Sequence, residues 1–293
     1  MEPISIKHSN LELLRRQTSF KDIIPVVLTP SNEFIPSFAV TVQSISAHAD
    51  KDYLYHIYVF HKDTFDLERA MKIQHTLADN FCITFIDVTE FIKELPFVIP
   101  VCFQDRFPIE VYFRLLIPTL LDTHSKVIYL DTDLVVLTDI RNLYNIDLGE
   151  CLIGGISEYI TPAQREYVEA LFNMPAKNYI NDGVLLMNCD KLNEFHFMER
   201  YLNILAGGPP QTVEQDLINM VCKGQIHYLD TKWNLRWHME CHTLSGLEIP
   251  YIFHYLSQYK PWNTESLLFS KYYYYYAAKT IFSNDIGVNN SIS

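Results

Sequence analysis

Asp131 and Asp133 stand two residues apart at the end of one apolar run, Val127–Leu130, and a second, Leu134–Leu137, begins directly after them. Side chains at i and i+2 of an extended backbone point to the same side, so this spacing aims both carboxylates at one spot. The flanking runs read as buried strand. Two ionised acids set against a core are costly unless their charge is compensated. Hard divalent cations take carboxylate oxygens as ligands, which makes a bound cation the natural compensation. The tripeptide alone serves equally well as a polar turn between two strands; the buried flanks on both sides favour metal.

The acids need a scaffold, and the preceding chain supplies one. Ile23–Leu28 reads as a buried strand ending in the turn Thr29-Pro30-Ser31-Asn32, and Phe38, Val42 and Ile45 recur at helical spacing. Tyr53–Phe60 reads as a second strand, Thr64–Ala78 as a helix and Cys82–Val88 as a third strand. Strands alternating with helices predict a parallel α/β sheet. Ligands of such sheets gather at the carboxyl ends of the strands, where Ser31–Glu33 and Asp131–Asp133 would both lie. Glu110–Leu121 is expected to be helical and to bring Tyr112 and Arg114 toward the acids. Leu152–Ser157 and Gly183–Met187 read as further strands, and Thr161–Leu171 as a helix. Another helix is expected over Thr212–Cys222, with Thr212 and Gln215 spaced as a capping box.

The chain of 293 residues suits one large α/β domain. It divides into an N-terminal extension (1–21), a catalytic domain (22–262) and an aromatic C-terminal appendage (263–293). The unbroken Tyr272–Tyr276 run beside Lys271 and Lys279 has three readings: a helix packed on the domain, a peripheral membrane contact, or a poorly ordered tail. A net charge of −12 argues against a general nucleic-acid binder. Six cysteines without a Cys-x-x-Cys pair favour a reducing compartment, and residues 1–21 lack the apolar core of a signal peptide. Cytoplasmic location is the expectation, with contact at the inner membrane face left open.

Four further stretches bring polar groups to the same chemistry: Asn181-Asp182-Gly183-Val-Leu-Leu-Met-Asn188, Glu214-Gln215-Asp216-Leu-Ile-Asn219, Leu229-Asp-Thr-Lys-Trp-Asn234, and Phe253-His254 through Lys260-Pro261-Trp262. In this order, from about Pro25 to Trp262, they resemble glycosyltransferase family 8, the retaining enzymes that include bacterial lipopolysaccharide galactosyl- and glucosyltransferases and glycogenin. The resemblance implies a GT-A fold, Rossmann-like, with a mostly parallel central sheet flanked by helices. It also implies a UDP-galactose or UDP-glucose donor, a saccharide or glycolipid acceptor, and Mn²⁺ or Mg²⁺. The family's metal ligands match Asp131, Asp133 and His254, and one imidazole among oxygens suits Mn²⁺ better than Mg²⁺.

Other roles follow from the same resemblance. Lys260 would add positive charge at the departing diphosphate. Arg114 would face the donor sugar and phosphate, and Thr132, Asn181, Asp182 and Gly183 would contact the donor. Asp182 stands where the family often has a small residue. Gln215 matches the residue beneath the anomeric carbon; an amide is a poor nucleophile, which favours front-face departure and entry over double displacement. Glu214 and Asp216 flank Gln215; one of them would hold sugar hydroxyls, or the cluster would be only the acidic first turn of a helix. Glu158 would meet sugar hydroxyls too. Ser31 and Asn32 stand where the family commonly has an acid that binds uracil. The loops Pro96–Arg106 and Tyr159–Asn178 are candidates for acceptor contact. A haloacid-dehalogenase-type phosphatase is disfavoured because Leu134-Val135, not Gly-Thr, follows the second Asp. A nucleotide-sugar-binding protein without turnover is the remaining alternative.

Overall fold

The computed structural model describes residues 20–95, 109–206, 213–236, 249–256, 260–263 and 269–286. Nearly all of the N-terminal extension, the Pro96–Arg106 loop and the Thr212 cap lie outside these residues. Strands are numbered β1–β10, and the described helices of eight residues or more α1–α5.

The three opening strands form as β1 (Ile23–Leu28), β2 (Leu54–His61) and β3 (Phe81–Asp87), all parallel. β4 (Lys126–Leu130) joins the opposite side of β1. With β6 (Ile153–Ser157), β7 (Ile180–Asn188) and β8 (Ile226–Tyr228) they make a seven-stranded sheet of order β3-β2-β1-β4-β7-β6-β8. β7 runs antiparallel to β4 and β6, and every other pair is parallel. The sheet is thus mostly parallel, with one reversed strand. The chain leaves β1 toward β3 and returns beyond β1 to make β4, so the crevice between β1 and β4 is a topological switch point.

Every residue of β1 and β2 is buried, which a sheet covered on both faces requires. Alternate residues enter two cores. Val27, Tyr58, Tyr129 and Leu185 pack with the Ile109–Leu116 segment and with α3 (Phe197–Ala206) and α4 (Val213–Val221). Val26, Ile57, Ile128 and Val184 pack with Phe38, Val42 and Ile45 of α1 (Ile35–Ser46).

Two expected helices are broken. Thr64–Ala78 holds only a short α-helix, Leu67–Met71, followed by a 3-10 turn, Lys72–Thr76. Gln74 there turns its amide onto the β3 backbone, donating to Phe81 O and accepting from Ile83 N. Glu110–Leu121 is 3-10 over Ile109–Leu116 and α-helical only from Ile117 to Leu120. Pro118 sits at the start of that second piece, where its missing N–H breaks a continuous ladder. α2 (Pro162–Phe172) forms as expected behind a reciprocal capping box of Thr161 and Gln164.

A smaller sheet carries the second half of the site: β5 (Leu134–Val136), β10 (Ile252–His254) and β9 (Leu235–Arg236). α5 (Ser270–Ala277) lies against this sheet, with Tyr273 and Tyr276 in a cluster with Val40, Val135, Phe253 and Tyr255. The Tyr276 hydroxyl meets His48 Nε2 at 2.8 Å. Of the three readings of the tyrosine run, the packed helix is the one the structure displays. Among the described residues no helix is long and apolar enough to cross a membrane.

Candidate active site

β4 ends at Leu130 and β5 begins at Leu134, so Asp131-Thr132-Asp133 is the step from the large sheet to the small one. Four bonds fix its backbone. Asp131 N–H donates to Gly183 O at 2.8 Å, and Thr132 O accepts from Ser37 Oγ at 2.7 Å and Thr41 Oγ1 at 3.2 Å. Tyr255 N–H donates to Asp133 O at 2.9 Å, which brings the end of β10 alongside. His254 is thereby placed between the acids, its Nε2 3.0 Å from Asp133 Oδ1 and 3.6 Å from Asp131 Oδ2. One ligand atom from each residue lies within 4.8 Å of the others.

The donor set of two carboxylates and one imidazole fits a divalent transition ion. A second observation supports that fit. A Cβ on Gly183 would sit 2.3 Å from His254 Cε1 and 2.7 Å from Asp131 Oδ2. Only the absence of a side chain lets Asp131 and His254 come this close over β7. Gly183, expected to contact the donor, faces Asp131 and His254 at this close range.

Charge around the triad is arranged by two cations. Lys260 Nζ contacts Asp133 Oδ2 and donates to Tyr255 O at 2.6 Å. Burial opposes ionisation of Asp133, but His254 and Lys260 outweigh it and hold its pKa below the usual carboxylate range. Arg114 is wholly enclosed. It donates to Asp131 Oδ1 at 2.9 Å, Asp182 O at 2.8 Å and Val111 O at 2.9 Å, and its guanidinium lies 4.4 Å from the centre of the Tyr129 ring. Arg114 therefore reaches the site by holding Asp131, which also accepts from Tyr129 Oη at 2.7 Å. Asp182 Oδ2 lies 3.0 Å from Arg114 Nη1. Burial nonetheless pushes the Asp182 carboxyl well up, and it also raises that of Glu214, which sits in the field of Arg114 and Asp131.

Gln215 is brought to the same place. Its Oε1 accepts from Asn181 Nδ2 at 3.1 Å, and its Nε2 donates to Tyr179 Oη at 3.1 Å. Asn181 also donates to Glu158 Oε2 at 2.8 Å, and Glu158 lies 3.4 Å from the buried Arg236 guanidinium. Asp131, Asp133, His254, Lys260, Arg114, Asn181, Asp182, Gly183, Gln215 and Glu158 thus form one linked cluster, with Glu214 in its field.

Two expected residues are engaged elsewhere. Asp216 is fully buried, its oxygens accepting from Tyr167 at 2.8 Å and Tyr179 at 2.6 Å. It supports Tyr179 where contact with a sugar was expected, because the helix period turns it inward from Gln215. Asn32 donates to Thr64 O at 2.9 Å and accepts from Asp66 N at 2.7 Å, so its amide ties the first loop to the next one. Ser31 stays half-buried at the head of that loop, and Phe34 meets Trp262 edge-on at 5.9 Å. Sequence reasoning brought the stretch ending in Asn234 to the site without giving that residue a role, and it missed Arg236, Tyr179 and Tyr129. Asn234, which closes a 3-10 turn, and Arg236 of β9 flank apolar Leu235 beside His254, and two polar residues around one buried apolar residue were the available signal.

Fold and site together define a GT-A-like architecture: a mostly parallel sheet with an Asp-x-Asp-His cluster at its switch point. The profile of glycosyl transferase family 8 matches residues 25–266, and the chain belongs to that family. Among solved structures, the bifunctional glycosyltransferase WbbM superposes with a TM-score of 0.79 at 23% identity, covering 92% of this chain and 52% of that one. The galactosyltransferase LgtC, in complex with donor and acceptor sugar analogues, superposes at 0.69 with 20% identity, covering 89% and 96%. At these identities the likeness is one of fold. The lipopolysaccharide 1,3-galactosyltransferase of Salmonella typhimurium is 21% identical over 85% of this chain and 75% of its own. The lipopolysaccharide 1,2-glucosyltransferase of Escherichia coli is 26% identical over 56% and 52%. Alignments to a Haemophilus influenzae putative glycosyltransferase and to general stress protein A of Bacillus subtilis span 45% and 59% of those proteins, so the chain matches about half of each.

Proposed function

We propose that this protein is a retaining, metal-dependent glycosyltransferase that moves galactose or glucose from a UDP-sugar to a saccharide or glycolipid acceptor. The observation behind the proposal is the convergence of Asp131, Asp133 and His254, with Lys260 beside them, at the β1–β4 crevice. A divalent ion held by these three residues, manganese in first place, would supply Lewis-acid charge to the diphosphate.

The chain's own groups define the rest. Lys260 is a cation at the edge of the triad, held by Asp133 and Tyr255 O and suited to meet a diphosphate that gains charge as it leaves. Arg114 and Tyr129 hold Asp131 in its orientation. Gln215 presents an amide whose two ends are already committed, to Asn181 and to Tyr179. An amide so held can brace a sugar but is a poor nucleophile, which supports departure and entry on one face, with the leaving phosphate oxygen taking the acceptor's proton. Glu158 and Asp182 stand where sugar hydroxyls would come, and Ser31 remains for the base. Tyr273 and Tyr276 face inward, so any peripheral membrane contact would rest on the exposed Tyr275 with Lys271 and Lys279. Four described cysteines are free thiols, which supports a reducing, cytoplasmic setting.

The test is release of UDP from UDP-galactose and UDP-glucose with Mn²⁺, with and without EDTA. Slow donor hydrolysis that EDTA stops, accelerated by saccharide acceptors, is the expected result. Tight UDP binding with no turnover across acceptors would leave a binding protein in its place.

A further inference from the structure

A chain of side-chain hydrogen bonds runs through the buried interior from Asp216 to His254, and its direction is forced at both ends. At one end the Asp216 carboxylate accepts from Tyr179 Oη, so that hydroxyl must accept from Gln215 Nε2. Gln215 Oε1 is then the acceptor facing Asn181 Nδ2 and the Asp182 N–H. At the other end the Gly183 N–H, a donor only, reaches Asn181 Oδ1 at 3.0 Å. Asn234 must therefore present its Nδ2 to that same oxygen, at 2.8 Å. Its Oδ1 is left facing His254 Nδ1 at 3.0 Å. An amide oxygen can only accept, so His254 Nδ1 must carry a proton, and Nε2 is the nitrogen turned to Asp133 and Asp131. Asn234 and His254 are both fully buried, so no solvent contact relaxes this order.

We infer that Asn234 is a positioning residue that fixes the Nδ1-protonated form of His254, aims its Nε2 at the two aspartates, and ties that histidine through Asn181 to the amide of Gln215. The role of Nε2 as a ligand rests on the metal reading proposed above; the proton on Nδ1 does not. Partners of this kind around a ligating histidine set its ring orientation and its basicity. Here the same asparagine also orders the residues assigned to the sugar, so cation and donor sites share one hydrogen-bond frame.

Two measurements test this. Long-range ¹H–¹⁵N correlation of histidine-labelled, metal-free protein should show His254 with a protonated Nδ1, and a bare Nδ1 would overturn the inference. Manganese binding in the presence of UDP should weaken by about 10- to 100-fold in Asn234→Ala, the usual size of such an effect. Asn234→Asp keeps an acceptor for Nδ1 but loses the donor to Asn181. It should bind manganese within about threefold of wild type while donor hydrolysis drops by about tenfold or more, a split that general loosening of the fold would not give. Circular dichroism checks that both variants are folded, and the tautomer measurement stands whichever variant folds. Wild-type protein that takes up no manganese would defeat the metal reading and the role of Nε2 with it. Manganese binding by folded Asn234→Ala within about twofold of wild type would defeat this inference alone.

Discussion

Gly183→Ala puts a single methyl group into the place where the ligands converge. That Cβ would lie 2.3 Å from His254 Cε1, 2.7 Å from Asp131 Oδ2 and 2.9 Å from His254 Nδ1. Relief to ordinary contact requires a shift of about 1 Å, and neither neighbour has slack. His254 is held by Asn234 and Asp133, and Asp131 by Arg114 and Tyr129. Overpacking of this kind costs about 1–3 kcal/mol of stability. A displacement of about 1 Å among groups that must meet a reacting ligand costs about 100-fold in rate. The expected result is a folded protein with a lowered unfolding midpoint, manganese affinity reduced at least several-fold, and donor hydrolysis down by about two orders of magnitude. Calorimetric titration with Mn²⁺ and UDP, thermal unfolding and UDP-release kinetics read the three quantities. A Gly183→Ala protein equal to wild type in all three would show that the triad tolerates an intruding methyl, and the argument from its tightness would fail.

Asp131→Asn or Asp133→Asn should abolish transfer while circular dichroism stays native, and near-wild-type turnover in either would remove the metal assignment. Gln215→Ala should slow transfer without stopping it, because the amide braces and does not attack; a sugar trapped covalently on residue 215 of the wild type would reverse that preference. His56 provides a pH test away from the site. Burial, with a smaller contribution from His124, lowers its pKa from 6.5 to about 3 in the fold. The unfolded chain therefore takes up a proton that the folded one refuses between those values, so this stability is complete above pH 6.5 and declines as pH falls toward 3. Denaturant unfolding should show His56→Gln losing a slope worth about 2 kcal/mol between pH 7 and pH 5, and an unchanged slope would show that His56 is not the group responsible.

The parts legible from sequence were those with one dominant cause. Apolar runs such as Ile23–Leu28 and Val127–Leu130 are buried on both faces, so they could only be central strands. The two acids were legible because carboxylates set between buried apolar runs need a charge partner, and His254 was legible only through the resemblance of the stretch ending in Lys260-Pro261-Trp262 to the family. What stayed hidden depends on neighbours distant in sequence. Nothing local to Arg114 says that its guanidinium is consumed by Asp131 and Asp182, and nothing beside Asp216 names Tyr167 and Tyr179. Gly183 was noticed, but its reason lies in His254, which β10 delivers from the other sheet. The broken helix at Pro118 was readable from the proline alone.

The clasp formed by the last helix changes what counts as the working unit. Tyr274 Oη donates to Pro261 O, Trp262 packs on Tyr273 at 5.4 Å between ring centres, and Tyr255 Oη donates to Phe269 O at 2.9 Å. These contacts brace the turn that presents Lys260 from behind, yet they come from residues beyond 266, where the stretch shared with the family stops. A protein shortened to the shared stretch would retain every residue assigned to chemistry and lose the buttress under one of them.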